Sequence, residues 1–358
     1  MMSAKLILVI GGTGAQGTAV IDSLLAPRDD GAPSPYQVRV LTRDPSSRRA
    51  KEFASRGIEC VQGSFDDLAT VAAAFEGVYG AWVNTDSFTV GEQKEIYFGI
   101  KIFEAAKRAR SLKHYVWSSL DYSTKKGNYN LDYNVEHHNA KGIVADFMKA
   151  QESIVSESGM SWTAISTGPY MDMLKIPGFF GPLNKRADGT FVFVTPVGDG
   201  HLPMIALEDI GFWARWTFDH RSESSGKDLE IVTQMIQMQE VVETFTKVTG
   251  KPAIYKRLTI DEWWGYFTGG DAPIANERPF GDGSTTVRQN MSALLRQWRD
   301  DIIHRDMEWI RRTNPKGYTL ESWMRAHNYT GEMDLTLLKG LEDGKALFAP
   351  DISKTILL

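Results

Sequence analysis

The feature that most narrows the folds open to this chain is the apolar run Leu6-Ile-Leu-Val-Ile10, followed directly by Gly11-Gly-Thr-Gly-Ala-Gln-Gly17 and then by a helical pattern. A strand that feeds a glycine-rich turn and a helix aims backbone N–H groups and a helix N-terminus at one point, which suits a pyrophosphate. Gly11, Gly14 and Gly17 belong at that pyrophosphate, with Thr13, Ala15 and Gln16 completing the loop. Gly14 admits the close approach, and Gly17 lets helix pack on strand. Glycines at a helix start cost backbone entropy, so a tight turn without a ligand explains them poorly. The string fits both G-x-G-x-x-G and G-x-x-G-x-x-G, and its strand-turn-helix context is what gives it weight.

The first half of the chain repeats this alternation. Strands are expected at Lys5 to Ile10, Gln37 to Thr42, Glu59 to Gln62, Gly80 to Asn84, His114 to Ser118 and Trp162 to Ser166. Helices are expected between them at Ala15 to Leu25, Arg48 to Arg56, Leu68 to Phe75, Gly91 to Arg110 and Val144 to Ser158. The period predicts an α/β fold with a doubly wound parallel sheet. After Gly168 the chain turns rich in Pro and Gly (Pro177-Gly-Phe-Phe-Gly-Pro182), with a hairpin signal at Gly189 to Val194. The expected division is residues 1–166 for the sheet domain and 167–358 for a smaller, interleaved substrate lobe, with about 205–235 returning to the sheet. Gln239 to Thr249, closed by Gly250, and Thr286 to Arg312 both read as helices. Gly265 to Gly283, rich in Gly and Pro, reads as a mobile loop.

Composition removes several classes of function. A formal charge of -5, from 45 acidic and 40 basic residues, gives no basic face to hold nucleic acid. The single cysteine, Cys60, forms neither a disulfide nor a cysteine-based zinc cluster, and no metal site is expected. The first apolar run is too short to span a membrane or serve as a signal-peptide core, so the expected location is the cytoplasm.

The second expected strand ends in Val38-Arg-Val-Leu-Thr-Arg-Asp-Pro45. An arginine at this tip pairs with a 2′-phosphate, whereas an acid accepts from the ribose 2′-hydroxyl. Arg43 therefore favours NADP, while Asp44, one place later, keeps NAD as the alternative. Arg48 is a candidate second phosphate partner. Asp66, in Gly63-Ser-Phe-Asp-Asp67, either caps a helix or reads the adenine. Asn84 and Thr85 follow the fourth strand, where ligands of such sheets bind.

These strings, together with Gly57-Ile-Glu-Cys-Val-Gln-Gly63 and His114-Tyr-Val-Trp-Ser-Ser-Leu120, resemble the NmrA-like family of atypical short-chain dehydrogenases/reductases. The resemblance covers roughly residues 5 to 250. It implies a Rossmann-type sheet, a nicotinamide dinucleotide, and one of two roles: a reductase acting on a small molecule, or a cofactor-sensing regulator that binds a protein partner.

Short-chain reductases use a Ser or Thr after the fifth strand and a Tyr-x-x-x-Lys pair on the next helix. Here Ser118 and Ser119 stand at that strand end, but the pair is replaced by His137-His-Asn-Ala-Lys141, so His137 occupies the tyrosine's place. Lys141 is favoured over Lys149 as the ribose-holding lysine. His137 is a candidate general acid near neutral pH. Tyr170, in Thr167-Gly-Pro-Tyr-Met171, is a candidate donor to a substrate oxygen, and Tyr122, Tyr129 and Tyr133 in the loop after Leu120 are replacement acids among which the sequence does not choose. Phe179, Phe180, Trp263, Trp264 and Phe267 suggest an apolar, cyclic substrate. The reading is an NADP-dependent reductase of a carbonyl or conjugated alkene, with the sensor as its alternative.

Overall fold

The computed structural model describes residues 4–177, 179–334, 336 and 348–358. Gly178 of the Pro177 to Pro182 stretch and most of the 335–347 segment lie outside the described residues.

The alternation of the first half builds strands β1 (Lys5–Ile10), β2 (Tyr36–Thr42), β3 (Glu59–Gln62), β4 (Gly80–Val83), β5 (His114–Leu120) and β6 (Ser161–Thr167). Helices α1 (Ala15–Leu25), α2 (Arg48–Ser55), α3 (Leu68–Ala74), α4 (Ser87–Val90), α5 (Glu92–Arg108), α6 (Ser123–Lys126) and α7 (Glu136–Lys149) connect them. The second half adds β7 (Asn184–Lys185), β8 (Phe191–Thr195), β9 (Leu202–Met204), α8 (Leu207–Asp219), α9 (Arg221–Ser224), β10 (Lys227–Glu230), β11 (Gln234–Ile236) and α10 (Met238–Thr249). It continues with β12 (Ala253–Arg257), α11 (Ile260–Trp264), β13 (Phe267–Thr268), α12 (Val287–Arg299), α13 (Met307–Thr313), α14 (Leu320–Ala326) and β14 (Ala349–Pro350).

Seven strands form one sheet in the order β10-β6-β5-β4-β1-β2-β3, and every pairing is parallel. Both faces are covered, which is why β4 and β6 are buried along their whole length. This is a Rossmann-type doubly wound fold. One face packs under α1 and α8, around Val20, Ile21, Leu24, Ile210 and Trp213; the other packs under α3, α5 and α7. Each such fully buried side chain contributes about 1.5–3 kcal/mol, an upper estimate. A Cβ on Gly211 would stand 2.6 Å from the Ala19 carbonyl, so only glycine lets α8 lie this close to α1. A third core, from Met171 to Tyr329 and Leu358, fills the second lobe. Among the described residues no helix is long and apolar enough to cross a membrane.

Two expected helices differ from those observed. The helix expected at Val144 to Ser158 runs instead over Glu136–Lys149. Its start is fixed from outside: the Glu136 N–H donates to Asn290 Oδ1 of α12 at 2.8 Å, a partner far away in sequence. The helix expected at Thr286 to Arg312 is two, α12 and α13. Between them Asp301 adopts φ 50° with its carboxylate on the His201 N–H at 2.8 Å, and Arg305 is buried against Asp121. That salt bridge, bidentate at 3.1 and 2.7 Å, ties the second lobe to the end of β5.

Candidate active site

The strand order reverses between β1, which pairs with β2, and β4. Sheets of this kind bind ligands outside the strand ends at such a switch point. A cavity of about 1040 Å³ opens there. It runs from Gly11, Thr13, Gly14, Ala15 and Gln16 past Arg43, Asn84, Thr85 and Lys141 to the second lobe.

The glycine loop is built by close approach. Gly11 has φ 80°, and a Cβ there would lie 2.7 Å from the Asn84 carbonyl. A Cβ on Gly17 would lie 2.2 Å from Gly11 O and 2.6 Å from Gly12 Cα, so Gly17 seats the helix on the turn and does not itself line the cavity. The N-cap of α1 is Gly14, with no side-chain cap and no acid in the first turn. The free first-turn N–H groups and the helix dipole favour an anion.

Arg43 is exposed at the cavity wall beyond β2. Asp44 Oδ1 accepts from the Ser46 N–H at 2.8 Å and the Ser46 hydroxyl at 2.6 Å, which commits that oxygen to the turn. Two expected cofactor residues are placed elsewhere. Arg48 lies 3.8 Å from Glu52 along α2 and does not line the cavity; its neighbour Arg49 reaches inward and donates to the Thr13 carbonyl at 2.9 Å. Asp66 is exposed outside the cavity, where Asp67 caps α3, while Gly63, Ser64 and Phe65 form the wall.

At the centre stands Lys141, its side chain 9% exposed. Its ammonium donates to Asn84 Oδ1 and the Thr85 carbonyl, each at 3.0 Å, and lies 3.2 Å from Oε1 of Glu95, which is wholly buried. The Thr85 hydroxyl donates to the same carboxylate oxygen at 2.6 Å. Glu95 is a residue the sequence reading missed. α5 and α7 touch where a Cβ on Gly99 would lie 2.8 Å from Val144 Cγ2; one turn earlier on each helix come Glu95 and Lys141. Lys149, at the far end of α7, instead pairs with Asp228 at 2.9 Å and Asp146 at 3.3 Å. The Ser118 hydroxyl donates to Gln16 Oε1 at 2.6 Å, and that of Ser119 donates to backbone carbonyls.

His137 lines the cavity, but not as the acid expected at neutral pH. Burial, with His138 and Lys141 beside it, holds its pKa well below the usual imidazole value, and the ring is neutral. Burial likewise takes His138 down to about 4, with Arg305 and Lys141 adding to it against the opposing pull of Asp121. Tyr170 also lines the cavity, and burial beside Asp86 pushes its phenol up to about 12. The loop tyrosines are elsewhere: Tyr122 packs against the exposed Tyr129, Tyr133 donates to Asp300 at 3.0 Å, and none lines the cavity.

The cavity is also walled by Phe88, Met173, Phe179, Met291, Leu294 and Phe348, which form an apolar chamber. Of the five aromatic residues expected there, Phe179 reaches the chamber, stacked on Phe348 at 5.7 Å. Phe180, Trp263, Trp264 and Phe267 are buried behind it as core. The Gly265 to Gly283 segment is held to α4, with Asn276 and Glu277 N–H groups on the Phe88 and Thr89 carbonyls, and these two residues also line the cavity.

Among related proteins, the NmrA-like oxidoreductase malD of Malbranchea aurantiaca is 30% identical over 71% of this chain and 76% of its own. The NmrA-like oxidoreductase notA of Aspergillus sp. (strain MF297-2) is 27% identical over 90% of this chain and 97% of its own. Solved structures agree in fold. NmrA, a negative transcriptional regulator, in complex with NAD, superposes with a TM-score of 0.67 at 19% identity, over 90% of this chain and 95% of that one. An NADPH-dependent quinone oxidoreductase from Escherichia coli superposes with 0.64 at 17%, over 90% and 99%. The model of the NmrA-like family matches residues 3–264, and the chain belongs to that family.

Proposed function

We propose that this protein is an oxidoreductase that prefers NADP(H) and reduces a carbonyl or conjugated alkene of a small apolar, cyclic molecule. The observation that carries the reading is one cavity running from an uncapped glycine-loop helix, past a buried lysine, into an apolar chamber. The names of the curated relatives, NmrA-like oxidoreductases, support it.

The residues present fit a nicotinamide dinucleotide. The Gly11–Gln16 turn and the α1 N-terminus would hold the pyrophosphate. Arg43 would meet the 2′-phosphate, a preference supported by the engagement of Asp44 with Ser46. Gly63, Ser64 and Phe65 would border the adenine, and Asn84, Thr85 and Lys141 the nicotinamide ribose. When bound, the nicotinamide supplies the hydride.

The chain's own groups do the rest. Lys141 presents its ammonium toward the ribose position, anchored 3.2 Å from Glu95 Oε1. Ser118, its proton committed to Gln16, orients that side chain and the loop. Tyr170, held protonated by burial, gives a proton to an alkoxide, a stronger base than its phenolate. The apolar walls exclude water from the reacting carbon.

Two measurements test this. Calorimetric titration with NADP and NAD should give tighter NADP binding that Arg43→Ala abolishes; equal affinities untouched by that substitution would remove the arginine assignment. NADPH oxidation followed against ketones, quinones and enones should reveal turnover. Tight cofactor binding with no turnover of any would transfer the reading to a non-catalytic regulator.

A further inference from the structure

A neutral histidine held in one tautomer faces the chamber. His137 Nδ1 lies 3.0 Å from Nδ2 of Asn290, which is fully buried on α12. An amide's two ends are told apart by their other partners. The Asn290 oxygen accepts from the Glu136 backbone N–H at 2.8 Å, a group that only donates, so the opposite end is the amide nitrogen and donates to the ring. His137 Nδ1 is therefore the bare acceptor nitrogen, and the one proton of the neutral ring sits on Nε2. The charged or titratable neighbours, His138 and Lys141, both act against protonation of the ring. Phe88 covers a ring face at 4.7 Å and His138 meets it edge-on at 4.7 Å, which fixes its orientation. Nε2 has no protein partner among the described residues, and the ring borders the cavity.

We infer that the His137 Nε2–H is a fixed hydrogen-bond donor to substrate, with Asn290 as the residue that imposes its tautomer. The chamber accordingly takes a molecule with an acceptor oxygen on its reducible bond, such as a ketone or quinone, in preference to a cationic imine. This rests on the reductase reading and names the atom the substrate presents. In the step, a C–H bond forms at the carbonyl carbon by hydride addition, the C=O π pair moves to oxygen, and the nicotinamide is oxidised by two electrons. The developing oxyanion is held by Nε2–H, which keeps its proton, and Tyr170 protonates it and regains a proton from water. A donor positioned for such charge before the reaction is worth far more than one in water.

The direct test is the ¹⁵N spectrum of the histidine-labelled full chain at pH 7, with the His137 signals assigned by their loss in His137→Gln. The expected result is a pyridine-type Nδ1 and a pyrrole-type Nε2; a protonated Nδ1 overturns the inference, whatever the turnover. Asn290→Asp, whose carboxylate accepts from the ring, should draw the proton to Nδ1 and leave Nε2 bare. It should also lower kcat/KM for menadione or cyclohexenone by about 100-fold with NADPH affinity unchanged. If that variant fails to fold, the wild-type spectrum decides. Wild-type turnover of a cyclic N-methyl iminium salt as efficient as that of menadione or cyclohexenone would overturn the oxygen preference. Turnover of none of these compounds would count against the reductase reading, leaving the tautomer result standing.

Discussion

Replacing Glu95 by glutamine keeps the shape of the buried partner of Lys141 and removes its charge. The Lys141 side chain is 9% exposed, and its ammonium lies 3.2 Å from Glu95 Oε1. Among the described residues it otherwise meets only uncharged oxygens: Asn84 Oδ1 and the Thr85 carbonyl at 3.0 Å, the Thr85 hydroxyl at 3.3 Å and the Ser118 carbonyl at 3.5 Å. At the 3.2 Å separation two unit charges attract by about 5 kcal/mol with an effective dielectric of about 20. Removing one partner from a buried pair costs about 3–5 kcal/mol, because the other charge stays in low dielectric. The amide retains part of the hydrogen bonding, which places Glu95→Gln at about 3 kcal/mol, near the lower end of that range. Urea unfolding at pH 7 measures the loss directly. The double variant Lys141→Met, Glu95→Gln should recover most of it, since replacing a whole buried pair is often neutral or stabilising. A loss below about 0.5 kcal/mol in the single variant, the value of an exposed pair, would refute the reasoning.

Gly17→Ala should abolish cofactor binding while leaving a folded second lobe, because the new Cβ would meet Gly11 O at 2.2 Å and Gly12 Cα at 2.6 Å; calorimetric titration checks it. Arg43→Ala should weaken NADP binding by about 1.5–3 kcal/mol, the value of a charged hydrogen bond, and leave NAD binding unchanged. Asp121 is buried, which raises its pKa, but Arg305 and Lys126 outweigh that and hold it below the usual carboxylate value. Its stabilisation is therefore present above the unfolded-state pKa of about 3.9 and is lost as pH falls through the lower folded value. Asp121→Asn should destabilise the chain by about 3–5 kcal/mol at pH 7 and by much less in strong acid, read by urea unfolding at both pH values.

What the sequence made legible was local. Leu6 to Gly17 announced strand, turn and helix because Gly11, Gly14 and Gly17 answer contacts within a few residues of themselves or at the adjacent strand end. The sheet followed from apolar runs at a regular period. Lys141 was legible from its place in the family motif. Glu95 was not, since only the packing of α5 on α7 at Gly99 brings it under the ammonium, and nothing near Glu95 in sequence signals that contact. Arg48 and Arg49 are adjacent, and helical phase, set by how α2 lies on the sheet, sends the second toward Thr13. The loop tyrosines suited replacement acids by position, but Tyr133 is drawn to Asp300 at the end of α12, an element whose place in space the sequence does not reveal. The same helix supplies Asn290, which starts α7 earlier than its apolar pattern suggests and decides the tautomer of His137.

The central claim is that the glycine loop, Lys141 and the apolar chamber act together in a hydride transfer. Its most direct test is turnover of menadione or cyclohexenone with NADPH deuterated at the transferring carbon, followed by mass spectrometry of the product. For cyclohexenone the account predicts deuterium on the reduced carbon, on one face only. For menadione, whose hydroquinone exchanges the label, it predicts a slowed single-turnover rate. Lys141→Met should suppress both. Unlabelled product, label on both faces, or turnover indifferent to Lys141 would contradict it.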